Sequence, residues 1–342
     1  MTLPGVVYAY NLPRWKHPVV RQCFPQSTVT FIKVGGLIPA GVHLILWGMA
    51  PIPDDAPEDV QVLRMEDGFL RSVGLGADLV RPLSWVVDAR GIYYDATRPS
   101  DLEHILAHAV CDAALLARAA ALRAGIVTAG LTKYNVGHQA WVRPAQAAQV
   151  ILVVGQVESD ASLAYGAPEI RTNMGLLQAV RQAYPQAYVV YKPHPDVLAR
   201  LRLEGQDEQL AQRWCDELVS DVAMGVMLDA VDEVHVLTSL AGFEALLRGK
   251  PVVCYGLPFY AGWGLTLDKI ACARRVRRLS VDELVVGTLM RYPLYLSRDG
   301  QALLTPEQAL DVLRAWQIQA GGKAPWWRRL FRIILRRVAG VR

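Results

Sequence analysis

The stretch that decides the fold is Gln149–Ser162, QVILVVGQVESDAS. Val150–Val154 is an unbroken apolar run, mostly β-branched, the pattern of a strand buried on both faces and hence of a parallel sheet. Gly155 ends the run, and the loop after it carries Gln156, Glu158 and Asp160. Ligands of open α/β sheets gather where strands end, so paired carboxylates just past a buried strand mark a candidate site. A local reading stands beside this one: Asp160 or Ser159 simply caps the next helix.

Outward from this loop, the chain of 342 residues suits two α/β domains, each with its own core. No run of about 18 uncharged apolar residues is present, so no transmembrane helix is expected. The start, MTLPGVVYAYNLPRWK, lacks the pattern of a signal peptide. Five cysteines, Cys23, Cys111, Cys215, Cys254 and Cys272, are scattered without metal spacing, which fits a reducing cytoplasm. The net charge of +4 is concentrated at one end. Lys323–Arg342 holds seven basic and no acidic residues, and without those seven the chain has 29 basic against 32 acidic side chains. That is not the composition of a nucleic-acid-binding protein.

Val6–Tyr10, Thr28–Val34 and Val42–Trp47 read as short strands in an α/β rhythm. Glu66 and Asp67 follow the short apolar stretch Val62–Met65. Trp85–Tyr94 reads as a hairpin around Ala89–Gly91. Ser100 is a helix cap with Glu103 as its capping-box partner, and helices are expected over Asp101–Cys111 and Asp112–Leu122. The domain boundary falls in the polar bridge after Leu131–Gly137. The expected division is 1–145, an acceptor-side α/β domain; 146–300, a nucleotide-sugar domain; 301–322, a closing helix; and 323–342, a basic tail. In the second half, Met174–Ala183 reads as a helix and Ala187–Tyr191 as a strand. Pro193 and Pro195 hold His194 in an extended turn. Asp207–Val219 reads as an amphipathic helix, Glu233–Leu237 and Pro251–Tyr255 as strands, and Ala241–Arg248 as a helix. Pro258–Thr266 reads as a mobile aromatic loop, and Asp282–Leu289 and Pro306–Trp316 as closing helices.

The second-half strand ends share one chemistry. Thr238 and Ser239 offer hydroxyls and N–H groups at a helix N-terminus, a ready anion site. Lys192 and His194 bring donors from a neighbouring strand end, and Glu244 suits ribose hydroxyls. Together they describe a nucleotide-phosphate pocket. Singly, His194 braces a turn, Ser239 caps a helix and Glu244 belongs on a surface.

EDGFLRSVGLGADL (66–79), GIYYDATRPSDLE (91–103), TKYN (132–135), GQVESDAS (155–162), YKPHPD (191–196), TSLAGFEAL (238–246) and GKPVVCYGLPFYAGWGLT (249–266) occur in this order. In this the sequence resembles the capsule-polysaccharide β-Kdo transferases of the KpsC type. The resemblance implies an α/β fold of two Rossmann-like domains with GT-B-like glycosyltransferase architecture. It implies transfer of Kdo from CMP-β-Kdo with retention, building a poly-β-Kdo linker on a phosphatidylglycerol-type lipid in Gram-negative bacteria. KpsC-type proteins carry two such modules in tandem, whereas this chain holds one, which leaves the linkage open. Other CMP- or CDP-dependent transferases, sialyl- or glycerophosphotransferases, and a non-catalytic capsule assembly factor are the rival readings. Other capsule biosynthesis proteins are conceivable partners.

Kdo leaves CMP through an oxocarbenium-like state at a ketal carbon. The resemblance makes Asp160 the candidate nucleophile of a double displacement. Glu66 becomes the base for the acceptor hydroxyl, with Asp67 as the alternative. His194, Lys192 and Ser239 are expected to neutralise the departing phosphate. Gln156, Glu158 and Arg71 are expected to position the sugar, Arg71 having a structural ion pair as its other reading. With cationic side chains in place, no metal or other cofactor is expected.

WWRRLFRIILRRV, Trp326–Val338, places Arg328, Arg329, Arg332 and Arg336 on one side at 100° per residue. Trp327, Leu330, Phe331, Ile334, Leu335 and Val338 fall opposite. With Trp326 and Trp327 at its entry, this is the pattern of a helix lying in an anionic membrane interface. A cytoplasmic protein held peripherally on the inner membrane is the expectation; the competing reading is a helix packed on the N-terminal domain.

Overall fold

The computed structural model describes residues 5–72, 81–133, 137, 139–199, 202–299 and 302–320. The tail residues Trp326, Trp327, Arg328, Arg329, Phe331 and Arg332 lie outside them. Two sheets organise the fold. The first begins with β1 (Val6–Tyr10), β2 (Thr28–Ile32), β3 (His43–Trp47) and β4 (Gln61–Asp67), all parallel in the order β2-β1-β3-β4. β5 (Ser84–Asp88) extends it antiparallel to β4. α1 (His17–Cys23) covers one face with Val19, Val20 and Cys23.

The second sheet is wholly parallel. It holds β6 (Val150–Val154), β7 (Tyr188–Lys192), β8 (Glu217–Leu218), β9 (Glu233–Val236), β10 (Val252–Cys254) and β11 (Leu267–Asp268), in the order β8-β7-β6-β9-β10-β11. That is the 3-2-1-4-5-6 order of a doubly wound dinucleotide fold, with its topological switch between β6 and β9. All five residues of β6 are buried, as its continuous apolar pattern requires. α4 (Ala161–Gly166), α5 (Asn173–Ala183), α6 (Pro195–Leu198), α7 (Met224–Ala230) and α8 (Leu240–Leu247) fill the crossovers. The protein is thus an α/β fold of two Rossmann-like domains.

Between the sheets lie α2 (Asp101–His108) and α3 (Ala113–Thr128), capped by Ser100 and Asp112, whose side chains accept from Glu103 N and Leu115 N. The chain then returns from the second sheet to the first. After α9 (Val281–Val285) and its π-helical continuation to Arg291, β12 (Pro293–Leu296) pairs antiparallel with β5, and β13 (Leu303–Leu304) pairs with β12. Residues 293–296 therefore sit in the first sheet, where a division at residue 300 assigns them to the second domain. The closing helix α10 (Pro306–Ala320) lies on α3 at Gly125, where an added Cβ would stand 2.8 Å from the Leu310 side chain.

One apolar core runs through this junction. It joins Phe69, Leu83 and Val86 of the first sheet's side to Leu102, Leu106 and Leu122 of α2 and α3, and to Leu152 and Val154 of β6. Glu103 is set into it. Its N–H donates to Ser100 Oγ, but its carboxylate does not complete a capping box: it accepts from Arg274 Nε at 2.7 Å and Arg275 Nε at 3.0 Å. Arg275 also donates to the carbonyls of Pro258 and Ala261 at 2.6 and 2.9 Å.

This corrects the expectation of a mobile aromatic loop. Phe259, Tyr260 and Trp263 are buried in the shared core, Trp263 Nε1 donates to Phe259 O, and Tyr260 Oη donates to Ser239 O. Large aromatic area removed from water outweighs the loop-like glycines. The hairpin expected over 85–94 is also absent among the described residues. Asp88 Oδ1 accepts from the N–H groups of Arg90, Gly91 and Asp101, turning the chain straight into α2. Asp207–Val219 is a short 3-10 turn followed by β8, because Asp207 takes φ 56° and Glu208 is spent on Tyr191 Oη and Gly205 N.

Arg275 has a side chain only 3% exposed, so removing its partner strands a charge in the core. Breaking such a pair costs about 3–5 kcal/mol. Glu103→Ala is expected to lower unfolding free energy by that order in urea titration. Glu103→Met with Arg275→Met should cost less than the two single changes summed. A loss under ~1 kcal/mol for Glu103→Ala would show that the ion pair does not hold the domains.

Candidate active site

The site lies where the parallel strands of both sheets end. At the switch of the second sheet, Gln156 leaves β6 and Thr238 leaves β9. Gln156 Nε2 donates to Thr238 Oγ1 at 3.0 Å, and Thr238 N donates to Gln156 Oε1 at 2.8 Å. Buried Asn173, at the start of α5, seals the other side. Its Oδ1 accepts from Gln156 N and its Nδ2 donates to Gln156 O, both at 2.9 Å. Gln156 is therefore a cross-brace of the crevice, and both ends of its amide are engaged. Glu158 is engaged as well: its two oxygens accept from Asn173 N at 2.7 Å and Gln206 N at 2.8 Å. Neither side chain is placed as a sugar-positioning group; both shape the loop that carries Asp160.

Asp160 is exposed at the N-terminus of α4, and its Oδ1 accepts from Ser162 N at 2.8 Å. The capping role is real, yet it occupies one oxygen; Oδ2 makes no hydrogen bond to a described residue. α4 is tied to the first domain through Ala96 N, which donates to Tyr165 O at 3.3 Å. That contact draws the Tyr93-Tyr94 segment against the loop. Burial, then the charges of Glu66 and Asp160, raise the Tyr94 hydroxyl above its ordinary pKa. Both carboxylates therefore act on one tyrosine from opposite domains.

Glu66 ends β4. Its Oε1 accepts from Asp67 N at 3.0 Å and its Oε2 lies 3.5 Å from Tyr94 Oη, which donates to it. Gly48, at φ 50°, closes the back of this corner: a Cβ there would stand 2.9 Å from Glu66 Oε2 and 2.8 Å from Tyr94 Oη. Burial pushes the Glu66 carboxyl up to about 7, helped by the neighbouring Asp67, while the Asp67 N–H and the Lys16 and Lys133 charges pull it down. Asp67 is committed elsewhere, its Oδ2 held by buried Arg71 Nε at 2.7 Å. The structure thus gives Arg71 its structural reading and separates the two adjacent carboxylates.

His194 caps α6, its Nδ1 accepting from Asp196 N at 3.2 Å. This assigns the ring proton to Nε2. Burial lowers its pKa to about 4, the Lys133 charge acting the same way against Asp160. At neutral pH His194 is an uncharged donor. Lys192 is buried, with a pKa brought down to about 8 by burial, and its Nζ donates to Val222 O at 2.6 Å. Its ammonium is turned to that carbonyl. Ser239 Oγ accepts from Ala241 N at 3.3 Å as a helix cap. Glu244 is neither on the surface nor at a ribose-like opening. It is buried, its pKa lifted to about 7 by burial, and it accepts from Lys133 N at 2.6 Å.

Several of these residues carried no role in the sequence reading. Tyr94 and Lys133 lie in motifs quoted above, so a signal existed without an assignment. Gly48, Asn173 and Lys16 had none, because their partners are distant in sequence. Among the described residues no group of three or more His, Cys, Asp or Glu is placed to hold a metal ion.

A family model described as "Capsule polysaccharide biosynthesis protein" matches residues 54–138 and 133–296. The capsule polysaccharide modification protein LipA of Neisseria meningitidis serogroup B is 41% identical over 321 residues, covering 91% of this chain and 46% of LipA. The chain thus spans about half the length of that relative. The lipopolysaccharide-processing protein LpsZ of Rhizobium meliloti is 38% identical, covering 85% of this chain and 70% of LpsZ. Among solved structures, the β-Kdo 2,7 transferase of Thermosulfurimonas dismutans KpsC is 39% identical with a TM-score of 0.73, covering 90% of this chain and 98% of that one. The β-Kdo 2,4 transferase of the same KpsC is 28% identical with a TM-score of 0.77, covering 90% and 97%. The motifs around Glu66, Asp160 and His194 all fall within the matched residues, and this chain belongs to the capsule polysaccharide biosynthesis protein family.

Proposed function

We propose that the protein is a retaining β-Kdo transferase, moving Kdo from CMP-β-Kdo to a Kdo-terminated phosphatidylglycerol-type glycolipid within a GT-B-like cleft. The observation that carries this reading is the pairing of two dissimilar carboxylates across the cleft. Asp160 is exposed beside the switch of the second sheet, and Glu66 is buried in the first domain with a pKa of about 7. The likeness to two Kdo transferase domains supports the substrate class.

In the first displacement an Asp160 oxygen bonds to the anomeric carbon of Kdo while the bond from that carbon to the CMP phosphate breaks. CMP departs with the electron pair, and the neutral His194 offers Nε2–H to its phosphate. In the second, Glu66 takes the proton of the acceptor hydroxyl, whose oxygen displaces Asp160 and restores the original configuration. Preorganised donors stabilise departing charge without reorganising, so this reading needs no metal.

With CMP-Kdo and a synthetic Kdo acceptor, NMR should show a new β linkage, its position distinguishing 2→4 from 2→7. Asp160→Asn should abolish the product while changing CMP affinity less than about threefold, since Asn caps α4 as well as Asp. Glu66→Gln with donor should accumulate a Kdo adduct on Asp160 by mass spectrometry. Full turnover by Asp160→Asn would sink the covalent route, and no product from any Kdo acceptor would return the donor question to other CMP- or CDP-sugars.

The pH dependence follows from the raised Glu66 pKa. The base form exists above about 7, so kcat/KM should fall about tenfold per unit as pH drops below that value. Rates flat from pH 8 to 5 would remove Glu66 as the base.

The tail completes the reading. Each basic residue near an anionic surface contributes about 1 kcal/mol, so Lys323–Arg342 suffices to hold the enzyme peripherally at its lipid acceptor. Deleting Lys323–Arg342 should release the protein from anionic liposomes and spare transfer to a soluble acceptor. Unchanged co-sedimentation would favour a tail packed on the protein.

A further inference from the structure

The first sheet has a switch point of its own. β2 lies on one side of β1 and β3 on the other, and ligand crevices of open α/β sheets form beyond the strand ends at such points. A groove of about 280 Å³ occupies this position, lined among others by Tyr10, Asn11, Trp47 and Ala50. The chemistry assigned to Asp160, Glu66 and His194 does not use it. Its size is near the lower end of the ~300–1,000 Å³ typical of small-ligand sites.

Lys16 stands beside this groove. It ends the single turn Arg14–Lys16 that leads into α1, and it is only 7% exposed. Its ammonium lies over the ring of Trp47, the same residue that lines the groove. That ammonium makes no hydrogen bond or salt bridge with a described residue. Burial draws its pKa down to about 8, and the nearby Glu66 and Asp67 charges oppose that. A cation held this deep is costly unless something meets its charge. Two carboxylates approach it without pairing, one of them already taken by Arg71. Trp47 is followed by Gly48, which backs directly onto Glu66 Oε2. An acceptor whose hydroxyl reaches Glu66 therefore extends over Trp47 and toward Lys16.

We propose that this groove is the acceptor subsite, in which Lys16 pairs with the carboxylate of the acidic sugar that receives the new bond, over a platform formed by Trp47. Tyr10 and Trp47 supply the aromatic faces that a sugar ring packs on, and Lys16 supplies selection for an anionic over a neutral terminus. The inference rests on Glu66 being the acceptor's base, and it names what the first domain recognises. It also gives the buried lysine a purpose that packing alone does not, since an apolar side chain would fill the same volume without the desolvation cost.

The test compares Lys16→Met and Lys16→Arg with the parent protein on two acceptors, a Kdo-terminated saccharide and its carboxylate methyl ester, with donor hydrolysis measured in the absence of acceptor. Lys16→Met should raise KM for the free acid about tenfold or more, as expected for one charge-assisted contact, and change kcat less than about threefold. The parent should show a similar KM rise on the ester, and Lys16→Met on the ester should be no worse than either change alone. Lys16→Arg should recover part of the affinity, and donor hydrolysis should be unaltered. Independent, additive penalties from mutation and esterification would overturn the proposal. So would equal losses of kcat on both acceptors with a displaced acid limb, which would mean that Lys16 acts only through Glu66. If the parent transfers nothing to a Kdo acceptor, the activity reading fails separately. NMR titration with free Kdo then decides the subsite: binding lost in Lys16→Met upholds it, and equal binding overturns it.

Discussion

The carboxylate of Glu103 is the point on which the two domains are fixed. It is offered from α2, between the sheets, to Arg274 and Arg275 of the second domain, and Arg275 in turn grips the carbonyls of Pro258 and Ala261. Its setting is a continuous apolar core, so the ions are held in a low-dielectric surround where geometry is enforced by the cost of any alternative. The aromatic segment around Phe259 and Trp263 is thereby packed against Phe69, whose ring centroid lies 4.5 Å from that of Phe259. Phe69 is two residues beyond Asp67. The spacing between Glu66 and Asp160 is inherited from this junction.

Within the cleft, burial and pairing sort carboxylates that are alike in sequence. Glu158 is consumed by backbone N–H groups, Asp67 by Arg71, and Glu244 by the N–H of Lys133. Glu66 is buried with weaker compensation and its affinity for a proton rises, whereas Asp160 keeps one oxygen toward solvent. Two groups of the same chemistry thus become a base poised near neutrality and an available anion. The same sorting makes His194 a neutral donor, since burial beside Lys133 disfavours a second positive charge.

The α/β rhythm, the buried β6 strand and most helix positions were legible because period and capping are local: Ser100, Asp112 and Asp160 cap as their spacing implies. The Glu103 capping box failed because arginines about 170 residues later compete for its carboxylate and offer a charge-assisted bond that the backbone cannot match. The aromatic loop looked mobile because glycine and a loop composition are visible in sequence and burial is not. Gln156 and Glu158 were read as free to meet a sugar since nothing local revealed Thr238, Asn173 or Gln206 as their partners.

By itself the sequence determined the parallel, doubly wound character of the second domain, the strand ends at which polar residues collect, and the family through long motifs in fixed order. These follow from neighbours along the chain, where side-chain period and turn chemistry act directly. Tertiary structure alone decided which carboxylate is raised, which is paired and which is open, that residues 293–296 and 303–304 return to the first sheet, and that Lys16 lies beside Glu66. Each of those depends on desolvation and on charges brought together from distant positions, and neither is written in the spacing of adjacent residues.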